Sequence, residues 1–243
     1  METHYHKWYS LYLGRDMEYK TYGTEGRGVI VIPSQDGHFW DYENFHMIDV
    51  VAHFIESGRI HLICVDSIDG ESWSNKGGDG RYRIEQHEKW FHYICNELIP
   101  ACKRFNEETF MITGCSMGAY HAANFFLRRP ELFDTVIAQS GIYNASYFFD
   151  SYSDDLTYIN SPLDYLWGMS PDHPYLDIYR QKNIIFCVGQ GAWEDDLLDS
   201  TRKMNDWFNQ RNVPAWFDYW GHDVAHDWPW WRVQLPYFLD KIL

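Results

Sequence analysis

The run Phe110-Met111-Ile112-Thr113-Gly114-Cys115-Ser116-Met117-Gly118 carries the reading of this chain. Its first residues form a short apolar stretch, the pattern of a strand buried on both faces. The segment Ala119 to Arg129 that follows is rich in small residues (Ala119, Ala122, Ala123) and is stopped by Pro130, the pattern of a closely packed helix. Between the two lies G-x-S-x-G. In that setting the motif predicts a sharp turn that exposes the Ser116 hydroxyl at the start of a helix. A Cβ at either glycine would clash with a neighbouring strand or helix, and the serine itself takes strained dihedrals. The backbone N–H of Met117 and the helix dipole then face any negative charge that develops beside Ser116.

On either side of this turn the chain alternates between the same two patterns. Gly28 to Pro33, Arg59 to Asp66, Thr109 to Thr113, Thr135 to Gln139 and Ile184 to Val188 read as buried strands, and Ala215 to Tyr219 as the last strand. Helical patterns fall at Asn44 to Glu56, at Ile84 to Cys102 (with Pro100 kinking or ending it), at Ala119 to Arg129 and at Leu197 to Arg211. The last helix runs from Pro229 to Ile242, with Asp227 as its N-cap and Pro229 in its first turn. Residues 5–22 read as an antiparallel hairpin: Trp8 to Leu13, a turn at Gly14-Arg15-Asp16, then Met17 to Tyr22. The expected fold is α/β, a mostly parallel twisted sheet with an N-terminal antiparallel hairpin and helices on both faces. No repeat or linker interrupts residues 1–243, so one domain is expected. The stretch from Asn144 to Lys182 lacks the alternation and reads as an excursion over the carboxyl edge of the sheet, where such folds bind ligands.

Composition narrows the partners. The 243 residues carry 35 acidic and 20 basic side chains, a formal charge of −15, which argues against nucleic acid or an anionic membrane surface. With 45% apolar residues, including 12 Trp, 18 Tyr and 15 Phe, the chain can bury enough surface to offset its conformational entropy, which excludes disorder. No apolar run approaches the roughly 18 residues that a membrane helix needs. The N-terminus shows no basic patch followed by an apolar stretch, so no secretory leader is expected. Five cysteines without a C-x-x-C pair, two of them (Cys64 and Cys187) inside apolar strand-like runs, fit a reduced, cytoplasmic protein.

Four segments together resemble a known family. Gly114-Cys115-Ser116-Met117-Gly118-Ala119-Tyr120 is followed by Arg129-Pro130-Glu131-Leu132-Phe133 and by Ser140-Gly141, and His226-Asp227-Trp228 lies near the end. This pattern is similar to that of the putative-esterase family of α/β hydrolases, which includes esterase D (S-formylglutathione hydrolase), feruloyl esterases and enterochelin-type esterases. Asp66 to Trp73 also looks familiar, so the resemblance spans roughly residues 28–240. One departure is Ala119, where glycine is commoner in the family; alanine is small enough to keep the turn.

The resemblance implies an α/β-hydrolase fold and a serine carboxylesterase that works through an acyl-enzyme on Ser116. Such chemistry needs a base and an orienting carboxylate, in the chain order serine, acid, histidine. Of twelve histidines, eight precede the turn, His121 lies on its helix and His173 in the excursion. His222 and His226 are left. His226 matches the family's H-D-W position and is the expected base, with His222 as runner-up. The pair is also four residues apart beside Asp223 and Asp227, a spacing that would suit a metal on a helix, but Gly221 and Pro229 bracket a loop here. No metal and no cofactor is expected.

The acid should follow the strand Ile184 to Val188, where Glu194, Asp195 and Asp196 stand in a row. Asp195 best matches the family's acid; Glu194 and Asp196 are the fallbacks, and at least two of the three belong to an acidic helix start. For the oxyanion hole the family's pattern suggests the N–H groups of Met117 and Gln35. Trp73, Tyr143 and Trp193 are candidates for the pocket wall. The expected partner is a small-molecule ester, whether aryl, sugar, lactone or thioester, and a homodimer is compatible with such a fold. The same acyl-enzyme would serve transfer to an alcohol. A non-catalytic binding protein on the hydrolase fold is the reading from another class, and the intact serine, acid and histidine set argues against it.

Overall fold

The computed structural model describes residues 1–103 and 108–243. In chain order it begins with β1 (Thr3–Ser10), β2 (Arg15–Tyr22) and β3 (Arg27–Ile32), then α1 (Asp41–Asn44), α2 (Met47–Glu56) and β4 (Ile60–Val65). After a 3₁₀ turn at Asp69–Glu71 come α3 (Gly80–Tyr93), a π-helical turn (Ile94–Leu98) and α4 (Ile99–Cys102). The elbow unit is β5 (Phe110–Cys115) and α5 (Met117–Arg128), followed by β6 (Phe133–Gln139). The excursion holds four short helices, α6 (Ser146–Phe149), α7 (Asp155–Ile159), α8 (Pro162–Trp167) and α9 (Tyr175–Tyr179). The chain closes with β7 (Asn183–Val188), α10 (Asp195–Gln210), β8 (Trp216–Tyr219) and α11 (Trp228–Ile242).

All eight strands join one sheet in the order β1-β2-β4-β3-β5-β6-β7-β8. β1 pairs antiparallel with β2, and β2 antiparallel with β4; every other pairing is parallel. The chain lays down β3, adds β4 on one side of it and β5 on the other, so the order reverses there. A crevice opens at the carboxyl ends of the strands around such a reversal.

Alternation along the buried strands divides the core in two. Ile30, Ile32, Ile112, Val136 and Phe186 face a layer made with Trp90 and Phe91 of α3, Phe125 and Phe126 of α5, and Trp207 of α10. Val29, Val31, Met111, Ile137 and Ile185 face the opposite layer, with Val51 and Phe54 of α2 and Leu235 and Phe238 of α11. Every residue of β4 and β5 is buried, as expected of strands that are apolar apart from His61 in β4 and Thr113 and Gly114 in β5. Among the described residues no helix is long and apolar enough to cross a membrane.

Three local expectations are corrected. The hairpin loop is Leu11–Gly14, with Ser10 opposite Arg15, so Gly14 ends the loop instead of starting it and Arg15 and Asp16 already lie in β2. The Gly14 N–H closes that loop onto the Ser10 carbonyl at 2.9 Å. The helix expected at 44–56 is two helices, broken where His46 adopts a left-handed φ of 61°. Pro100 does not end its helix, which runs on to Cys102: the α-helical pattern is interrupted by the π turn just ahead, and Pro100 sits in the first turn of α4.

Candidate active site

Ser116 sits between β5 and α5 with φ 58° and ψ −123°, a left-handed φ unusual for a residue with a Cβ. The surroundings enforce it. The Ser116 N–H donates to the Gln139 carbonyl of β6 at 2.9 Å, and the Ser116 carbonyl accepts from the N–H groups of Ala119 and Tyr120 at 3.0 and 3.2 Å. The flanking glycines permit the close approach. A Cβ at Gly114 would come 2.4 Å from the Gly118 backbone, and one at Gly118 would come 2.5 Å from the Pro33 carbonyl oxygen. Both obstacles are backbone atoms. Gly118→Ala should therefore destabilise the fold by about 1–3 kcal/mol, which thermal unfolding would read as a lowered Tm of roughly 2–4 °C per kcal/mol; an unchanged Tm would contradict this account of the elbow.

His226 lies in the loop between β8 and α11, and its Nε2 is 2.9 Å from Ser116 Oγ. That loop is clasped to the one after β7. The Gly191 N–H donates to the Val224 carbonyl at 2.8 Å, the His226 N–H to the Ala192 carbonyl at 3.0 Å, and Gln190 Nε2 to the Trp220 carbonyl at 2.6 Å. The far side of the imidazole meets Glu194, whose carboxylate is fully buried. Glu194 Oε2 is 3.6 Å from His226 Nδ1, longer than a hydrogen bond, and neither of these two buried atoms has a hydrogen-bond partner, so each is the other's facing group. The other oxygen, Oε1, accepts from the Ser140 hydroxyl at 2.6 Å. Ser116, His226 and Glu194 thus form a continuous line of polar groups.

The placement of Asp195 departs from the sequence expectation. It is exposed in the first turn of α10, as is Asp196, where both carboxylates complement the helix dipole. Glu194 is the residue just before the helix. The left-handed turn at Trp193 (φ 67°) precedes it, and its side chain is buried behind His226. His222 is exposed and is not among the residues around Ser116.

A cavity of about 320 Å³ opens above the serine, lined by Gln35, Ser116, Met117, His226 and an apolar wall that includes Tyr147, Phe148 and Trp193. Met117 is the first residue of α5, whose leading N–H groups have no partner within the helix. Gln35 follows β3 and lines the same cavity. Of the expected wall residues only Trp193 lines this cavity, and it is 85% exposed. Trp73 and Tyr143 are wholly buried instead. Trp73 packs edge-on against Phe148 and so supports the wall from behind, while Tyr143 packs against Phe186 of β7. The walls from the excursion, Tyr147 and Phe148, had no signal in the sequence beyond their place at its start.

Cys115, one residue from the serine, has no comparable access. It is buried between Tyr42 and Gln139, and burial pushes its thiol up. The thiol therefore stays protonated and unreactive.

The comparisons with known proteins bear on the family and the fold. No curated protein sequence matches the chain. Among solved structures, a ferulic acid esterase superposes with a TM-score of 0.76 at 18% identity, over 100% of this chain and 98% of its own. The S-formylglutathione hydrolase of Staphylococcus aureus gives 0.68 at 14%, covering 99% and 96%, and that of Agrobacterium tumefaciens 0.67 at 13%, covering 98% and 93%. At such identities the likeness carries the fold, which is that of the α/β hydrolases. The sequence also matches the family model described as Putative esterase over residues 10–242. By that match across nearly its whole length the chain belongs to the Putative esterase family, and with it to the serine ester hydrolases.

Proposed function

We propose that the protein hydrolyses a small-molecule carboxylic ester through an acyl-enzyme on Ser116, with His226 as general base and Glu194 as the orienting acid. One observation carries the reading: Ser116 Oγ lies 2.9 Å from His226 Nε2 while the buried Glu194 carboxylate faces His226 Nδ1. A carboxylate can only accept, so the imidazole carries its proton on Nδ1 and leaves the Nε2 lone pair for the serine hydroxyl.

The steps follow from that arrangement. Nε2 takes the Oγ proton as Oγ bonds to the ester carbonyl carbon, and the carbonyl π pair moves onto oxygen. The N–H groups of Met117 and Gln35 bind the resulting oxyanion, aided by the dipole of the twelve-residue helix α5. The oxyanion collapses, the carbon–alkoxide bond breaks, and Nε2 returns the proton to the leaving oxygen. Water then repeats the sequence, releasing the carboxylic acid and free Ser116. The cavity walls of Tyr147, Phe148 and Trp193 favour an ester with an apolar or aromatic group beside the carbonyl, a chemistry shared with the ferulic acid esterase it resembles.

A fluorophosphonate reacts with a serine that is activated in this way and leaves an unactivated hydroxyl untouched. Treatment should give one adduct per chain, located at Ser116 by peptide mass, with hydrolysis of a 4-nitrophenyl ester lost in step. Labelling at another residue, or none at all, would remove Ser116 as nucleophile.

A further inference from the structure

Ser140 has no role in the steps above, yet it touches both the proposed acid and the last helix. Its hydroxyl is buried and lies 2.6 Å from Glu194 Oε1 and 3.2 Å from Trp231 Nε1. An indole N–H can only donate. The Ser140 oxygen therefore accepts from Trp231, and its single proton is directed at Glu194. That leaves one oxygen of the carboxylate committed to Ser140 and the other, Oε2, facing His226 Nδ1.

We propose that Ser140, with its hydroxyl oriented by the Trp231 indole, is a positioning residue that aims the Glu194 carboxylate at His226. The inference rests on the reading of Ser116, His226 and Glu194 as a triad.

Two further features support it. Ser140 holds a left-handed φ of 54°, a conformation that costs a non-glycine residue energy, and glycine would relieve it. A serine at that position keeps a hydroxyl at the expense of backbone strain. Ser140 also sits where the parts of the site converge. Its N–H donates to the Cys187 carbonyl of β7 at 2.8 Å, and the neighbouring Gln139 accepts from Ser116 N–H through its carbonyl. Gln139 Nε2 in turn donates to the Trp231 carbonyl at 3.2 Å. The Trp231 ring stands edge-on to the imidazole of His226, 5.0 Å between centroids at 89°. A shift of Trp231 would therefore reach base and acid together.

The test is a double-mutant cycle on a 4-nitrophenyl ester. Ser140→Gly removes the hydroxyl without adding backbone strain; it should lower kcat about 10–100-fold, the loss of one hydrogen bond to a charged group, with KM changed less than about twofold. Made in a Glu194→Ala background, the same substitution should cost no more than about twofold, because a group that acts only through Glu194 has nothing left to position. Trp231→Phe keeps the ring and removes the donor. It should lower kcat by about threefold to tenfold, an effect that disappears once Ser140 is glycine. Should Ser140→Gly fold poorly in thermal unfolding, the Trp231→Phe and Glu194→Ala pair carries the same cycle. Wild-type kcat in Ser140→Gly alongside an impaired Glu194→Ala overturns the positioning role and leaves the triad standing. An undiminished loss in the Glu194→Ala background reduces Ser140 to a structural part. Wild-type activity in Glu194→Ala itself overturns the triad reading instead.

Discussion

Ser116→Ala will lower ester hydrolysis by about 10⁴-fold or more while leaving the fold and its Tm nearly unchanged. The size of the effect follows from the role. Ser116 Oγ is the atom 2.9 Å from His226 Nε2, and its neighbour Cys115 is buried with its thiol pushed up, so that thiol does not stand ready to replace it. The structural cost is small because the hydroxyl projects into the cavity and the backbone hydrogen bonds that hold the turn do not involve the side chain. Alanine keeps the strained φ of 58° that serine already bears. The measurement is kcat/KM for a 4-nitrophenyl ester, with circular dichroism and thermal unfolding as the folding control. A variant that keeps more than about one per cent of wild-type turnover would assign the chemistry to another residue.

The second large effect separates two adjacent carboxylates. Glu194→Ala should reduce kcat by about 10³–10⁴-fold, the loss expected when the base is deprived of the group that fixes its tautomer and stabilises its imidazolium form. Asp195→Ala should stay within about twofold of wild type, since an exposed side chain in the first turn of a helix contributes a few tenths of a kcal/mol through the helix dipole. Both substitutions remove one negative charge from neighbouring positions, so a general electrostatic effect would move them together. The reverse ranking would return the acid's role to Asp195.

That contrast also marks where sequence reading stopped. The carboxylate was narrowed to Glu194, Asp195 and Asp196 by its place after a buried strand, and the family's pattern favoured Asp195 among them. Whether a residue in such a run faces the core or the solvent depends on one backbone turn. Here the left-handed φ of Trp193 and the clasp between Gly191 and Val224 set that turn, and no local pattern announces either. The pocket wall was obscure for a related reason. Trp73 and Tyr143 are large aromatics in suggestive places, yet both are wholly buried, because rim and core aromatics share the same composition and differ only in what packs over them.

The strands, the main helices and the elbow were legible from local information. Two-sided burial of a parallel sheet favours continuous apolar runs, which residues 29–32, 62–65 and 184–188 display. The elbow was legible because Gly114 and Gly118 are demanded by backbone contacts at fixed spacing from Ser116, so the constraint is written in adjacent residues. Histidine choice was half legible: chain order left His222 and His226, and the resemblance favoured His226, the one now found beside Ser116. Sequence alone thus determined the α/β alternation, the turn that exposes Ser116 and the segment that supplies His226, because each depends on short-range sterics or on burial periodicity. Tertiary structure alone decided that the Glu194 carboxylate faces His226, that the Ser140 hydroxyl lies between Glu194 and the Trp231 indole, and that Tyr147 and Phe148 wall the cavity. Those contacts join positions dozens of residues apart, and only the register of the sheet and the clasped loops at its carboxyl edge bring them together.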